Sequence, residues 1–148
     1  MEGPRRPPLL GLLLRVASWH WGMEVDAALR AAGFDDIRAP HANVFPFVPP
    51  EGIRASHLAR LARVRRQTMQ QTVEELERAG YVERRPDPRD RRSRLVFLTP
   101  RGRAVQEIGA RAAGQVEERW ARLTSREHIE ELRQALERLL EKLYESNR

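Results

Sequence analysis

The chain has 148 residues, 27 basic and 21 acidic side chains, a net charge of +6 and no cysteine. That length fits one domain with helical extensions, and the absence of cysteine excludes disulfides, thiol redox switching and cysteine-ligated zinc. Apolar residues are 41% of the chain, enough for a core, but the longest apolar stretch, Leu9 to Leu14, is far short of the ~20 residues a membrane span requires.

Residues 1–8 contain Pro4, Pro7 and Pro8 and read as a disordered tip. From Leu9 to Ala32 apolar residues recur at three- and four-residue steps through Leu13, Val16, Trp19, Met23 and Ala27, the period of an amphipathic helix, with Gly33 as its stop. Pro40 can open a short helix from His41 to Val48, but Pro46 falls inside it and removes a backbone donor, so this helix is expected to be short, kinked or irregular. Pro49, Pro50 and Gly52 mark a loop. Ala55 to Arg63 reads as a short helix with Leu58, Leu61 and Ala62 inward, followed by a tight turn around Val64. Arg66 to Ala79 reads as a longer helix with Met69, Val73 and Leu76 on one face and Gly80 in the stop position.

The period then changes to two. Tyr81 to Arg85 and Arg94 to Leu98 read as short strands, Val96 and Leu98 facing one way and Leu95 and Phe97 the other. Between them, Pro86 to Ser93 is turn-rich and cationic, so the expected unit is a β-hairpin with a long charged tip. Thr99 caps the next helix and Pro100 opens it; that helix runs to about Arg122. A capping box at Thr124 and Glu127 starts the last helix, where Ile129, Leu132, Leu136, Leu139 and Leu143 form a coiled-coil-like seam. The fold class is therefore mostly α with a small β-hairpin wing, a winged helix-turn-helix core flanked by N- and C-terminal dimerisation helices. The expected divisions are 1–8, the tip; 9–53, an N-terminal dimerisation helix and linker helix; 54–103, the winged helix; and 104–148, the C-terminal dimerisation helices.

The charge is unevenly placed. Residues 1–53 carry 5 basic and 6 acidic side chains, 54–103 carry 14 and 6, and 104–148 carry 8 and 9. The entire excess lies in the middle segment, the footprint of a nucleic-acid-binding module between neutral flanks. All the basic residues except Lys142 are arginine, a bias that coding composition alone can produce, but such a bias does not explain the clustering. The segment has no long basic amphipathic helix, which argues against a membrane surface as the partner.

Helix, turn, helix and charged hairpin in that order place the second helix to enter a major groove ~12 Å wide. Such a helix needs hydrogen-bonding side chains on its outer face near its start. Arg65, Arg66, Gln67, Thr68, Gln70 and Gln71 supply them, arginine matching guanine edges and glutamine adenine edges. Arg89, Arg91 and Arg92 place cations on the wing, suited to phosphates or the minor groove. Each feature alone is weak; their order over fifty residues, coinciding with the basic segment, is not.

Residues 53–102 resemble the winged-helix core of the MarR family of bacterial transcriptional regulators. The likeness is carried by Leu58-Ala59, Val64, Thr68, Val73, Leu76-Glu77, Ala79 to Arg84, Pro86 to Arg92 and Leu98 to Gly102. Its specific part is Asp87-Pro88-Arg89-Asp90-Arg91-Arg92 followed by a strand and Leu-Thr-x-x-Gly. The resemblance implies a triangular homodimer whose terminal helices interlock and whose two winged lobes bind a pseudo-palindromic operator in double-stranded DNA. It also implies that Asp90 orients the wing through an arginine partner and that Arg91 or Arg92 reaches the minor groove. Members are often repressors released by small aromatic ligands bound between the dimer helices and the winged lobe. Arg65 departs from the pattern by standing where the family often has serine or threonine.

These implications name the remaining candidates. Leu9, Leu13, Val16, Leu132, Leu136, Leu139 and Leu143 are assigned to the dimer interface. Trp19, His20, Met23, His41 and Phe45 are assigned to an effector pocket, with core packing at the domain junction as the competing explanation for the same aromatics. His20 with Glu24 and His128 with Glu131 offer two ligands each and no third, so no metal is expected. No cofactor is expected, and no nucleophile elbow, phosphate loop or dinucleotide motif points to an enzyme. The expected protein is a cytoplasmic, dimeric, sequence-specific DNA-binding transcriptional regulator, a repressor relieved by an aromatic effector; the alternative is an architectural DNA-binding protein without sequence preference, and a third reading is a winged helix that contacts only protein.

Overall fold

The computed structural model describes residues 8–146, and residues 1–7 of the expected N-terminal tip lie outside the described residues. Among the described residues, six α-helices and the strands of a three-stranded antiparallel sheet follow one another. Helix α1 spans Leu10–Ala31, α2 Ala39–Ala42, α3 Ala55–Leu61, α4 Arg66–Arg78, α5 Pro100–Leu123 and α6 Arg126–Ser146. Strand β1 is Ile53–Arg54, β2 Val82–Asp87 and β3 Asp90–Leu98, in the spatial order β1-β3-β2. This is a winged helix-turn-helix with long helices on either side of it in the chain. No helix among the described residues is long and apolar enough to cross a membrane.

The expected helix from His41 to Val48 is broken in two. Pro40 lies in the first turn of α2, which ends after four residues, and Pro46 sits in a separate 3₁₀ turn at Phe45–Phe47. A proline without an N–H is tolerated in such a short turn and not in a continuing helix. The two-residue strand β1 pairs Ile53 with Val96 and Arg54 with Leu95. It is too short to display an alternation, and the sequence signals no strand there.

The hairpin differs from expectation at its tip. The strands continue almost to the end, leaving only Pro88 and Arg89 in the turn. The register steps from Pro86 opposite Arg94 to Asp87 opposite Asp90, so Arg91, Arg92 and Ser93 bulge out of β3 with no partner on β2. The cations thus sit in a bulge on one strand, where the extra residues aim side chains away from the ladder, and not in a long loop. The predicted facing holds below it: Val96 and Leu98 are buried, and Leu95 and Phe97 are partly exposed.

A single core joins the pieces. Leu58 of α3, Met69, Val73 and Leu76 of α4, Val82 and Val96 of the sheet, Val105 of α5 and Leu29 of α1 all belong to it. Tyr81 is fully buried at its centre, between Phe34 and Phe45. Its hydroxyl donates to Asp36, and the Arg101 guanidinium lies 4.3 Å from its ring centroid and donates to the same hydroxyl at 2.9 Å. Burial pushes the Tyr81 phenol above its ordinary pKa, while the Tyr81 hydrogen bond holds Asp36 below the usual carboxylate range.

Two glycines are structural. Gly80 ends α4 with φ of +78°, a conformation that costs other residues Cβ strain. Gly102, in the first turn of α5, has no room for a side chain: a Cβ there would lie 2.0 Å from the Tyr81 carbonyl oxygen. Thr99 caps α5 as expected, accepting from the Gly102 N–H at 3.2 Å and donating to the Gly80 carbonyl at 2.6 Å. The cap of α6 is Ser125 and not the expected Thr124: the Ser125 hydroxyl accepts from the His128 N–H at 3.0 Å. Thr124 instead turns back to the Trp120 carbonyl.

Candidate nucleic-acid interface

Fourteen arginines fall in residues 54–103, and the fold divides them. Eight have partners. Arg54 pairs with Asp87, Arg84 with Glu77, Arg85 with Glu83 and Arg101 with Asp36. Arg78, Arg94 and Arg103 donate to backbone carbonyls, and Arg63 lies over the Tyr144 ring. Among the described residues, the remaining six side chains, Arg60, Arg65, Arg66, Arg89, Arg91 and Arg92, carry no hydrogen bond or ion pair, and all six are exposed.

Five of these six are the arginines singled out in the sequence. Arg65 and Arg66 stand at the start of α4, Arg65 as its N-cap residue with an extended backbone and no side-chain cap. Gln67, Thr68, Gln70 and Gln71 follow, exposed along the outer side, while Met69, Thr72, Val73 and Leu76 fill the buried face. An amphipathic helix that spends its apolar stripe on the core leaves such a polar face free for a ligand. The helix N-terminus adds its own partial positive charge beside the two guanidiniums. Arg60, on the exposed side of α3, was missed; lacking a glutamate or aspartate one turn away, it has a signature visible only once the other arginines are assigned.

The wing is held by Asp87, which the sequence reading passed over. Asp87 is buried, and its Oδ2 accepts from Arg54 Nη2 at 2.6 Å and Nε at 2.9 Å, while Oδ1 accepts from the Arg89 N–H at 2.9 Å. These bonds, the Arg89 backbone first and Arg54 next, hold the Asp87 carboxyl below its ordinary range. An aspartate whose side chain closes on the N–H two residues later is an Asx turn, and Asp-Pro-Arg carries that signal. Asp90 is 3.6 Å from the same Arg54, so its arginine contact is the weaker of the two. Its main work is in the bulge, accepting from the Ser93 hydroxyl at 2.8 Å and the Arg92 N–H at 3.1 Å. These two bonds keep the Asp90 carboxyl below the usual range.

The five residues assigned to an effector pocket are not brought together. Trp19, His20 and Met23 are exposed on the outer side of α1, Trp19 edge-on to His20. His41 is buried and engaged: its Nδ1 accepts from the Arg38 N–H at 3.2 Å, which leaves Nε2 to donate to Glu75 at 2.9 Å. Arg38 also donates to Glu75 at 3.0 Å, and together the bonds from His41 and Arg38 hold the Glu75 carboxyl below its ordinary range. This is a tie between α2 and α4, not a vacant ligand group. Phe45 alone of the five lines a cleft, one of about 430 Å³ between α1, the 3₁₀ turn and α5, whose wall includes Trp21, Val25, Leu29, Pro46 and Val105. Trp19 and Met23 lie half a turn from Trp21 and Val25, so the helical period turns them away from this cleft.

The residues assigned to the dimer interface are exposed in the single chain. Leu9, Leu13, Val16, Leu132, Leu139 and Leu143 are all accessible, Leu9 at 80%, and α6 has no buried residue. Leu136 is half-buried and lines an apolar groove with Leu14, Trp21, Trp120, Ile129 and Leu132.

Residues 48–93 match the model of the MarR family. Over that segment the winged helix resembles those of the MarR family. A curated relative is the transcriptional activatory protein BadR of Rhodopseudomonas palustris, 46% identical over 57 residues. That match covers 38% of this chain and 33% of BadR. Two solved structures share the MarR-like fold over most of the chain. CouR of Rhodococcus jostii RHA1, bound to p-coumaroyl-CoA, superposes with a TM-score of 0.71 at 23% identity, covering 88% of this chain and 90% of that one. A point mutant of MepR from S. aureus, bound to an oligodeoxyribonucleotide, superposes with a TM-score of 0.59 at 20% identity, covering 93% of this chain and 99% of that one.

Proposed function

We propose that this protein is a dimeric, sequence-specific DNA-binding transcriptional regulator acting as a repressor, with residues 54–103 as the DNA-binding unit. The single observation that carries this reading is the sorting of the arginines. The fold consumes those that lie within it and leaves uncommitted those at the start of α4 and on the wing. In this reading Arg65, Arg66, Gln67, Thr68, Gln70 and Gln71 meet the major groove and Arg89, Arg91 and Arg92 meet phosphates or the minor groove, Arg60 adding a further phosphate contact. Phosphate contacts fix the register and the glutamines and base-facing arginines read sequence. Uncommitted glutamines among the cations favour a reader over a purely electrostatic binder. The DNA-bound MepR mutant supports the same use of the fold.

The exposed apolar stripes of α1 and α6 support a homodimer through these helices, because contiguous apolar surface of that extent marks an association site. The cleft between α1 and α5 supports a small-molecule effector, since its size lies in the range of ligand pockets, about 300–1,000 Å³, and the similar CouR is a ligand-bound structure.

Selection of bound fragments from a random DNA library at physiological salt tests the reading. Enrichment of a pseudo-palindrome with half-sites about one helical turn apart is expected of a two-fold dimer. Binding without an enriched motif would replace sequence-specific regulation with architectural binding. Absence of binding, with the chain folded, would leave a winged helix that serves protein contacts.

A further inference from the structure

The cleft between α1 and α5 has a definite polarity. Of the residues that line it, Asp26 alone is charged. Its side chain is half-buried and, among the described residues, has no hydrogen bond or ion pair. Gln106 also lines the cleft, but its amide nitrogen is spent on two carbonyls, Phe45 at 2.6 Å and Val48 at 3.2 Å. Carbonyls only accept, so the amide orientation is fixed and Oε1 is what Gln106 has left to offer. Asp26 and Gln106 therefore both present acceptors, with the Trp21 indole N–H as the neutral donor beside them. The rest of the lining is apolar, with Trp21 and Phe45 as its aromatic surfaces.

Two glycines keep the cleft open. Gly22, one turn before Asp26, and Gly109 on α5 both line it, and a Cβ at either would meet nothing within 4 Å. Neither helix needs a glycine there for close packing, and a mid-helix glycine is unfavourable relative to alanine. Their effect is to leave space in the cleft.

On the reading that this cleft is a ligand site, we propose that it binds aromatic amines, the ammonium pairing with Asp26 and the ring packing against Trp21 and Phe45, and that it rejects aromatic carboxylates. An ammonium supplies donors to a carboxylate that has none, in a charge-assisted bond. It is also attracted to an indole face. A carboxylate ligand brings a like charge beside Asp26, and the neutral Trp21 indole N–H that it would meet in the lining does not offset repulsion between two carboxylates.

Calorimetric titration of the full chain with three indoles of nearly equal size tests this: tryptamine, a cation; tryptophol, neutral; and indole-3-propionate, an anion. Tryptamine is expected to bind about tenfold or more tighter than indole-3-propionate, the net worth of one charge-assisted hydrogen bond. Asp26→Asn should remove that advantage and leave tryptophol unchanged. Gly22→Leu fills the cleft from a position with free space and better helix propensity, and should abolish binding of all three with the thermal transition retained. Equal affinities, or tighter binding of the propionate, would overturn the amine assignment while the block by Gly22→Leu upholds the cleft. No binding of any indole, or binding that Gly22→Leu leaves intact, would overturn the cleft as the ligand site and the amine assignment with it.

Discussion

Arginines that the fold already uses and arginines that it leaves free should separate in a salt titration of DNA binding. Each phosphate neutralised contributes about 0.9 to the slope of log K against log salt. In a two-fold dimer Arg92→Ala removes the same contact twice, so the slope should fall by about 1.8. Over a rise from about 50 to 200 mM salt, the variant should then lose about 12-fold less affinity than the parent, although it binds more weakly throughout. Arg84 supplies the contrast. It is part of the same hairpin, but its guanidinium is bonded to Glu77 at 2.6 and 2.9 Å. Arg84→Ala should lower the urea midpoint and leave the salt slope close to that of the parent. Fluorescence anisotropy with the selected operator at five salt concentrations measures both slopes. A parental slope for Arg92→Ala, or an equal fall for Arg84→Ala, would refute the division of the arginines.

Gly102→Ala forces a Cβ against the Tyr81 carbonyl oxygen, a backbone atom that cannot swing aside; a loss of about 1–3 kcal/mol in urea unfolding is expected of such overpacking, and an unchanged midpoint would contradict the packing described. Leu136→Asp places a charge in the apolar groove beside α6 and should convert the dimer to a folded monomer by sedimentation, with loss of high-affinity binding. A folded monomer that still held the full operator with parental affinity would remove the need for a dimer. The carboxyls of Asp36, Glu77, Asp87 and Asp90 are held low by bonds from Tyr81, Arg84, the Arg89 backbone with Arg54, and Ser93 respectively. Their folded pKa values thus lie below the unfolded values of about 4. The folded state binds fewer protons there, so the stabilisation is full at neutral pH and is lost as the pH falls through 4 and below. Urea midpoints that stay level from pH 5 to pH 3 would contradict those hydrogen bonds.

What was legible in the sequence is what local physics sets alone. The helix stops at Gly33 and Gly80, the Thr99-Pro100 start of α5 and the facing of Val96 and Leu98 follow from turn chemistry and periodicity. What was not legible depended on partners far along the chain. Strand β1 exists because Ile53 meets Val96, and nothing in two residues announces it. The bulge at Arg91 to Ser93 looks like a loop until Arg54, more than thirty residues earlier, anchors Asp87. Choosing Trp19 over Trp21 as a cleft residue required knowing which side of α1 faces α5, and both sides are apolar enough to pass. His41 passed as an effector-pocket residue because Glu75, its partner, lies on another helix.

The pairing of carboxylates with arginines has a consequence for how such a protein changes over generations. In a chain whose basic residues are nearly all arginine, gaining one more cation is an easy mutational step and tells a DNA-binding surface little. The acidic residues are the editors: Glu77 and Glu83 each withdraw one guanidinium, of Arg84 and Arg85, from the field that DNA would feel. Losing either would release a cation onto the hairpin and raise indiscriminate affinity, without altering a single base-facing side chain. On the proposed function, discrimination between operator and bulk DNA would then be maintained partly by residues of the sign opposite to the one that binds.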